Sequence, residues 1–227
     1  MCGRYTLTVD LQGVEARFHC GPSGIVWQPH YNLAPTQNGL VVIRADKRNI
    51  LKEMRWGLVP RWAKDPAMGS RLINARLETL DEKPAFRKSL AGRRCIIPAD
   101  GFYEWQKQGK SKVPHRFIGD QGRMLGFAGL WDRWTIAQGG HLDTFTIITT
   151  KAVDAVKSIH DRMPLILPPD LEEQWLEGPA GPGAEEMKYF LNLMHPELRI
   201  HAYRVSPLVN SPSYDQPQCI EEVPDQD

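Results

Sequence analysis

Short runs of apolar and β-branched residues recur along most of the chain, and nine of them have the alternation or continuity typical of β-strands. Turn-prone segments separate these runs. Two of the segments, Ala99-Asp100-Gly101 and Gln108-Gly109-Lys110, are each expected to join a hairpin. The predicted strands cover residues 39–44, 50–59, 94–98, 102–106, 113–118, 125–131, 144–150, 165–167 and 199–205.

Helical periodicity is limited to five shorter segments, and Pro168-Pro169-Asp170 supplies a start signal for one of them. Many strands in antiparallel-looking succession, with helices interspersed irregularly, predict an α+β fold rather than a doubly wound sheet. The helices are predicted at residues 11–18, 81–90, 152–159, 171–176 and 184–194.

Length and composition fit one compact domain followed by a short tail. The chain has 227 residues, of which 41% are hydrophobic and 24% charged, so it is long enough to bury a sizeable core. Residues 178–183, rich in Gly and Pro, form a predicted loop that is too short to mark a domain boundary. Because the chain ends in Pro, Ser, Gln and acidic residues, we expect a domain over residues 1–210 and an acidic, flexible tail over residues 211–227.

Charge is unevenly distributed, although the whole chain carries only +1 at pH 7. That balance argues against a protein held to polyanions by bulk charge. Residues 44–94 contain 14 Lys and Arg against 6 Asp and Glu, whereas residues 170–227 contain 3 against 12. The basic segment is either a face for an anionic partner or a solvated surface. No segment has the apolar length of a signal peptide or a membrane span, so we expect a cytoplasmic protein.

The four cysteines and seven histidines lack the spacings of metal sites. Neither a C-x-x-C pair nor an H-E-x-x-H sequence occurs, so we expect no structural zinc and no disulfide framework. Three cysteines are assigned to packing, because free Cys behaves mostly as a small buried hydrophobe. Cys2 differs from them by its position.

Removal of Met1 would give Cys2 an amine and a thiol on adjacent carbons. At pH 7 roughly a tenth of such an amine is unprotonated and only about 3% of the thiol is ionised, so the amine should react first. With an aldehyde it would form an imine, which the thiol then closes to a five-membered thiazolidine. With an amide, Cys2 would instead attack through sulfur, as in N-terminal-nucleophile hydrolases. An accidental second-position Cys is the third interpretation.

Three further segments carry groups suited to catalysis or binding. Asn74 and Arg76 are two residues apart, so an extended backbone projects both side chains to one face. Glu104 alternates with aromatic residues in a predicted strand, while His160 and Arg162 follow a predicted helix. Each segment also has a structural interpretation, with Asn74 capping a turn, Glu104 pairing with a cation and His160 hydrogen-bonded in the core.

Six short motifs occur in order from residue 2 to about residue 167. They are Met1-Cys2-Gly3-Arg4, Tyr31-Asn32-Leu33-Ala34-Pro35, Arg55-Trp56-Gly57-Leu58-Val59-Pro60, Asn74-Ala75-Arg76, Ala99-Asp100-Gly101-Phe102-Tyr103-Glu104-Trp105 and Ile159-His160-Asp161-Arg162-Met163-Pro164. Taken together and in this order, they resemble the SOS response-associated peptidase (SRAP) family, and the segment Tyr203-Arg204-Val205-Ser206 fits as well. The resemblance implies one compact, mainly antiparallel, barrel-like domain with flanking short helices. It also implies covalent capture of abasic sites in single-stranded DNA, through a thiazolidine on a mature N-terminal Cys2 and with no cofactor or metal.

The resemblance implies a role for each matching residue. Cys2 forms the cross-link, Glu104 is the acid that opens the sugar ring, and His160 is a second acid/base group. Aromatic neighbours are expected to desolvate Glu104 and raise its pKa. Asn74 holds Cys2 and the sugar by hydrogen bonds. The implied DNA-binding residues are Arg4, Arg76 and Arg162 for phosphates and Trp62 for stacking on a base.

One position departs from the family pattern, and one processing step stays open. Where relatives carry an Arg on the helix after Asn-Ala-Arg, this chain has Glu82-Lys83-Pro84, so that phosphate contact would fall to Lys83 or Arg87. The family's peptidase label reflects a proposed self-processing that exposes Cys2, and an aminopeptidase is the other route.

Two other functions remain compatible with the residues. The first is a class II glutamine amidotransferase-like amidohydrolase, since those enzymes also begin with a mature Cys followed by Gly. The second is a non-covalent module for single-stranded DNA that uses the basic segment and Trp62. The expected partner is single-stranded DNA containing an abasic site, with no membrane contact, and a monomer is expected because capture of one sugar needs only one chain.

Overall fold

Two β-sheets organise the part of the chain that the computed structural model describes, which is residues 2–137, 139–177 and 199–224. Each of the nine predicted strand runs falls on an observed strand. The strands, in chain order, are β1 (Tyr5–Leu7), β2 (His30–Leu33), β3 (Asn38–Ala45), β4 (Arg48–Trp56), β5 (Asn74–Arg76), β6 (Arg94–Ala99), β7 (Gly101–Gln108), β8 (Ser111–Gly119), β9 (Leu125–Thr135), β10 (His141–Lys151), β11 (Arg162–Pro164), β12 (Ile166–Leu167) and β13 (Ile200–Arg204).

The larger sheet closes into a barrel. Its ring runs β10-β4-β3-β6-β9, and it closes because β9 also pairs with β10. The β10–β4 pairing is parallel, and the other pairings in the ring are antiparallel. Strands β5 and β11 extend the wall from β10, and β12 extends it from β9. The predicted α+β class, with one mainly antiparallel and barrel-like domain, is confirmed.

The second sheet has the order β13-β8-β7-β1-β2 and carries the first strand of the chain. The hairpin predicted at Gln108-Gly109-Lys110 is present, because β7 and β8 are joined there by a two-residue turn in which Gly109 has a φ of 59°. The hairpin predicted at residues 99–101 is wrong, because β6 lies in the barrel while β7 lies in the second sheet. Asp100 occupies this crossover, where its carboxylate accepts a hydrogen bond from Thr6 and lies 3.0 Å from the guanidinium of Arg116.

Four α-helices lie among the described residues, namely α1 (Leu11–Arg17), α2 (Pro84–Gly92), α3 (Asp154–Lys157) and α4 (Pro169–Glu177). Each matches a predicted helix. The Asp10 side chain caps α1 by accepting from Gly13 N at 2.8 Å. The fifth predicted helix and the predicted loop at 178–183 lie outside the described residues. None of the helices seen here is long and apolar enough to cross a membrane.

Aromatic side chains fill the space inside the barrel and between the two sheets. Trp56 and Phe145 from barrel strands and Tyr5 from β1 are fully buried. Tyr5 packs edge-on against Trp56, with the ring centroids 5.3 Å apart. Cys2 belongs to the same cluster and is also fully buried. The first described residues of the chain are therefore held in the core rather than on the surface.

The segment after β13 packs back onto the second sheet. It forms 3-10 helices at Pro207–Asn210 and Pro217–Cys219, and the Cys219 side chain is fully buried. Nδ2 of Asn32, on β2, donates to three main-chain carbonyls of this segment at 2.8, 2.9 and 3.2 Å. Residues 211–224 thus differ from the flexible tail that the sequence predicted, because buried contacts tie them to the domain.

Candidate active site and nucleic-acid interface

The candidate site lies where the start of the chain passes between the two sheets. Nδ2 of Asn74 donates to the Cys2 carbonyl at 2.7 Å, and the Cys2 Sγ lies 3.7 Å from the Arg4 carbonyl oxygen. Burial raises the pKa of the Cys2 thiol well above its usual range, and the negative charge of Glu104 raises it further. The thiol is therefore neutral near pH 7, so its reaction needs a partner already activated for attack.

Asn74 reaches Cys2 because β5 runs parallel to β10, with Asn74 in register with Ile147. Its Oδ1 is buried and accepts no hydrogen bond from the described residues. A buried amide oxygen without a donor lowers stability by about 1–3 kcal/mol. This atom is consequently a ready acceptor for a donor group that enters the site, such as an amine or a sugar hydroxyl.

Glu104 lies on β7, and its side chain is only 3% exposed. Burial raises the pKa of this carboxyl to about 7. The direction of this shift is the one that the sequence analysis predicted for Glu104. A carboxylic acid with this pKa is close to half protonated at neutral pH, which is the condition under which it can donate a proton and later accept one.

His160 follows α3 and faces Glu104, with Nε2 3.8 Å from the Glu104 Oε2. His160 Nδ1 lies 3.0 Å from the backbone nitrogen of Arg162, 3.2 Å from the Arg162 carbonyl oxygen and 3.2 Å from an Asp161 carboxylate oxygen, so Nδ1 is held by its own loop and Nε2 is the nitrogen that faces Glu104. Burial lowers the pKa of His160 below its usual value. The structure therefore brings the predicted residues Cys2, Asn74, Glu104 and His160 into one cluster.

A pocket of about 390 Å³ opens beside this cluster. Glu104 and His160 line it, together with Trp105, Lys112 and Asn210. The last three were not among the residues proposed from the sequence. The indole Nε1 of Trp105 donates to Asn210 Oδ1 at 2.7 Å, which fixes one wall of the pocket. Asn210 carried no sequence signal, because it lies at the end of the predicted domain, outside every motif.

Arg4, predicted to bind phosphate, is engaged with the protein itself. Its guanidinium donates to Asn32 Oδ1 at 2.9 Å and to the Val209 carbonyl at 2.7 Å. It also donates to the Asn210 carbonyl at 3.3 Å and lies 6.0 Å from the centre of the Trp105 ring. These contacts join the residues next to Cys2 to the C-terminal segment that forms the pocket wall.

Arg162 is paired with a carboxylate. Its two terminal nitrogens donate to Glu78 at 2.5 and 2.9 Å, and one of them also donates to the Thr149 carbonyl at 2.7 Å. Arg76 stands in register with the same Thr149 across the β5–β10 pairing and is exposed. Arg76 and Arg162, the two predicted phosphate-binding residues on the barrel sheet, thus both lie next to Thr149 of β10, at the edge of the barrel that we call its rim.

The remaining predicted DNA contacts are on the surface. Trp62 is 52% exposed, which leaves a large apolar ring open to solvent. Lys83 and Arg87 are exposed at the start of α2. Among the residues that the structure describes, no group of three or more His, Cys, Asp and Glu side chains could hold a metal ion.

Known proteins resemble this chain over nearly its whole length. A family model described as SOS response associated peptidase (SRAP) matches residues 1–212. "Abasic site processing protein YoqW" of Bacillus subtilis (strain 168) is 44% identical over 97% of this chain and 99% of the relative. "Abasic site processing protein HMCES" of Gallus gallus is 37% identical over 86% of this chain and 66% of the relative. A solved structure from Bacteroides thetaiotaomicron has a TM-score of 0.85 at 26% identity, over 98% of this chain and 100% of that one.

Proposed function

Because the chain belongs to the SOS response associated peptidase (SRAP) family, we propose that it processes abasic sites in DNA, as its relatives' names state for them. The finer proposal is covalent capture of the lesion in single-stranded DNA, through a thiazolidine formed by Cys2. The main supporting observation is the hydrogen bond from the Asn74 side chain to the Cys2 carbonyl, close to Glu104, an acid whose pKa is about 7.

The reaction starts from the closed hemiacetal form of the abasic sugar. Glu104 donates a proton to the ring oxygen as its bond to C1′ breaks, and the C1′ hydroxyl loses its proton to water, which exposes the aldehyde. The α-amine of Cys2 attacks the aldehyde carbon, and loss of one water gives the imine. The Cys2 Sγ then adds to the imine carbon while the thiol proton passes to the nitrogen. The thiazolidine forms with net release of one water.

The surroundings of Cys2 support this order of events. The raised pKa of the thiol keeps sulfur protonated near pH 7, so the amine attacks first and the thiol follows intramolecularly. Asn74 Oδ1 offers an acceptor that holds the amine or a sugar hydroxyl. His160, 3.8 Å from Glu104, is positioned to move protons to and from the carboxyl between steps.

Capture requires a free α-amine on Cys2. The chain as written begins with Met1, so the nitrogen of Cys2 is an amide until Met1 is removed. We propose self-processing at the Met1–Cys2 bond as the route, with an aminopeptidase as the alternative. A chain that keeps Met1 is expected to be inert toward aldehydes, because an amide nitrogen does not form an imine.

Single-stranded DNA fits the site better than a duplex, since the sugar must enter the pocket beside Glu104 and His160 to approach Cys2, which is fully buried. Exposed Arg76 and Trp62 supply a phosphate contact and a stacking surface outside the pocket. Arg162 is the second predicted phosphate contact there, and its use requires a phosphate to displace Glu78 from the guanidinium. All of these groups come from one chain, so we propose a monomer, acting in the cytoplasm wherever damaged DNA is exposed.

The direct test incubates Met-free protein with a single-stranded oligonucleotide that carries one abasic site, followed by a denaturing gel. We expect a heat-stable adduct with the native chain and none with Cys2→Ala. Glu104→Gln should form the same adduct more slowly, with little loss of DNA affinity.

Two controls separate this function from its rivals. DNA whose abasic aldehyde has been reduced should give no adduct with any variant. Release of ammonia from glutamine would instead indicate an amidohydrolase, and a salt-sensitive gel shift without a denaturation-resistant band would indicate a non-covalent binder.

A further inference from the structure

One wall of the pocket belongs to the C-terminal segment and presents a polar group with a fixed orientation. Because Trp105 Nε1 donates to Asn210 Oδ1, the other end of the Asn210 amide, Nδ2, is turned away from the indole. Nδ2 donates no hydrogen bond to any described residue. Asn210 lines the pocket and is exposed, so its N–H donor is open to a ligand from solvent.

A cation lies in the same pocket. Lys112, near the start of β8, lines it together with Asn210 and makes no ion pair with the described part of the chain. Arg76 and Arg162 lie on the barrel sheet, whereas Lys112 lies on the five-stranded sheet. Donors for an anion are thus found on both sheets, the five-stranded one of which also carries Glu104.

We propose that Asn210 and Lys112 bind a backbone phosphate of the DNA, on the opposite side of the abasic sugar from the phosphate held at Arg76 and Arg162. The inference rests on the proposed function and extends it. A sugar within a strand has one phosphate on each side, and contacts to both would fix its orientation toward Cys2. An ammonium and an amide N–H are groups that phosphate oxygens accept from.

The wall that carries Asn210 is held in place before DNA arrives. Arg4 donates to the carbonyls of Val209 and Asn210, and Asn32 donates to the Val209 carbonyl as well. Fixing a donor in its binding geometry reduces the entropy lost on association. In this arrangement Arg4 acts on the DNA through Asn210, by positioning the wall.

The test measures binding rather than cross-linking. Single-stranded DNA with a reduced abasic sugar is titrated by fluorescence anisotropy over a series of salt concentrations. We expect Lys112→Ala to weaken binding about ten-fold at low salt and to reduce the salt slope by about 0.7, the value for one phosphate contact on a single strand. Asn210→Asp keeps the acceptor for Trp105 but loses the donor and adds a negative charge, so it should weaken binding by at least as much.

Lys110→Ala is the matched control, because Lys110 has the same charge and lies two residues away in the β7–β8 turn, outside the pocket lining. Its effect should stay within about two-fold, as for a solvent-screened charge. Replacing one of the two phosphates flanking the sugar by a neutral methylphosphonate should remove the effect of Lys112→Ala at one position only. Melting temperatures of all variants report folding.

Three results would overturn the subsite: native-like binding by both Lys112→Ala and Asn210→Asp, an equal loss in Lys110→Ala, or a Lys112→Ala effect that persists with either methylphosphonate. Wild-type cross-linking of unreduced abasic DNA is measured in parallel. Its absence would contradict the proposed function by itself, since the binding series uses DNA that cannot react.

Discussion

At the scale of single residues, burial of one carboxyl group determines what the site can do. Glu104 is 2% exposed, and its pKa is about 7, so the same burial that lowers stability at alkaline pH supplies a proton donor at neutral pH. The sequence predicted this direction of shift from the aromatic residues beside Glu104, and the structure gives its cause as burial of the carboxyl in the folded chain. Its neighbours His160 and Cys2 are distant in sequence, so only the family motifs could associate them with it.

The shifted pKa predicts how stability changes with pH. The pKa of Glu104 is higher in the folded chain than the roughly 4.3 of an unfolded Glu, so the folded state binds the extra proton between these values. Proton binding by Glu104 therefore stabilises the folded state fully at pH values below about 4. This stabilisation, on the order of 3 kcal/mol in total, is lost as pH rises from there through about 7.

Glu104→Gln removes this titration. The native chain should lose free energy of unfolding as pH rises from 5 to 8, and the variant should not, so the difference between the two proteins should move in favour of the variant. Urea denaturation at each pH measures it. Parallel pH profiles for the two proteins would show that Glu104 does not titrate in this range.

Other residues of the site were beyond sequence reasoning. Lys112 and Asn210 carry no motif, and they line the pocket only because a strand hairpin and a C-terminal turn converge there. The pairing of Arg162 with Glu78 is also a tertiary contact, between a strand residue and a short 3-10 helix. Sequence patterns report local periodicity, so they do not reveal which distant polar groups meet.

At the scale of elements, the strands of five or more residues were predictable, whereas most of the shorter ones were not. β1, β2, β5 and β11 contain only three or four residues each, too few for alternation to be read. They are strands because neighbouring strands supply hydrogen-bond partners. Asn74 is the first residue of β5, and Cys2 lies three residues before β1, so the site depends on elements that tertiary pairing creates.

Asp100 lies at the crossover between the two sheets, and we expect its substitution to lower stability strongly. Asp100 and Arg116 form a buried ion pair at 3.0 Å, and Asp100 also accepts from Thr8 N at 2.5 Å. Asp100→Ala leaves the buried guanidinium without its partner and should lower the free energy of unfolding by about 3–5 kcal/mol.

The more exposed pair of Arg133 with Asp143, at 2.7 Å, is the control for that prediction. Asp143→Ala should cost only about 0–1 kcal/mol, because solvent screens the pair. Equal losses in the two variants, measured by urea denaturation, would contradict a structural role specific to the crossover.

At the scale of the whole molecule, the C-terminal segment is part of the domain. Its composition of Pro, Ser and acidic residues predicted a flexible tail, since such segments seldom bury enough apolar surface to order themselves. Here the order comes from a small apolar cluster, in which Val209 and Cys219 are fully buried, together with polar contacts. Asp215 accepts from the backbone N–H groups of Tyr31 and Asn32 at 2.5 and 2.8 Å, and this links the segment to β2.

A chain that ends after Asn210 tests this arrangement. It loses the buried Cys219 and the contacts of Asp215, so we expect a lower melting temperature, by roughly 2–4 °C for each kcal/mol lost. Cross-linking should also slow, because the wall that carries Asn210 loses its support. An unchanged melting temperature would agree with the flexible tail that composition suggests and would contradict the packing described here.

The most direct measurement is the intact mass of the adduct between the protein and single-stranded DNA with one abasic site. Thiazolidine capture predicts the mass of the chain without Met1 plus that of the oligonucleotide, minus one water, with Cys2 as the modified residue after proteolysis. An adduct that retains Met1, or one joined through another residue, would contradict capture by the amine and thiol of Cys2.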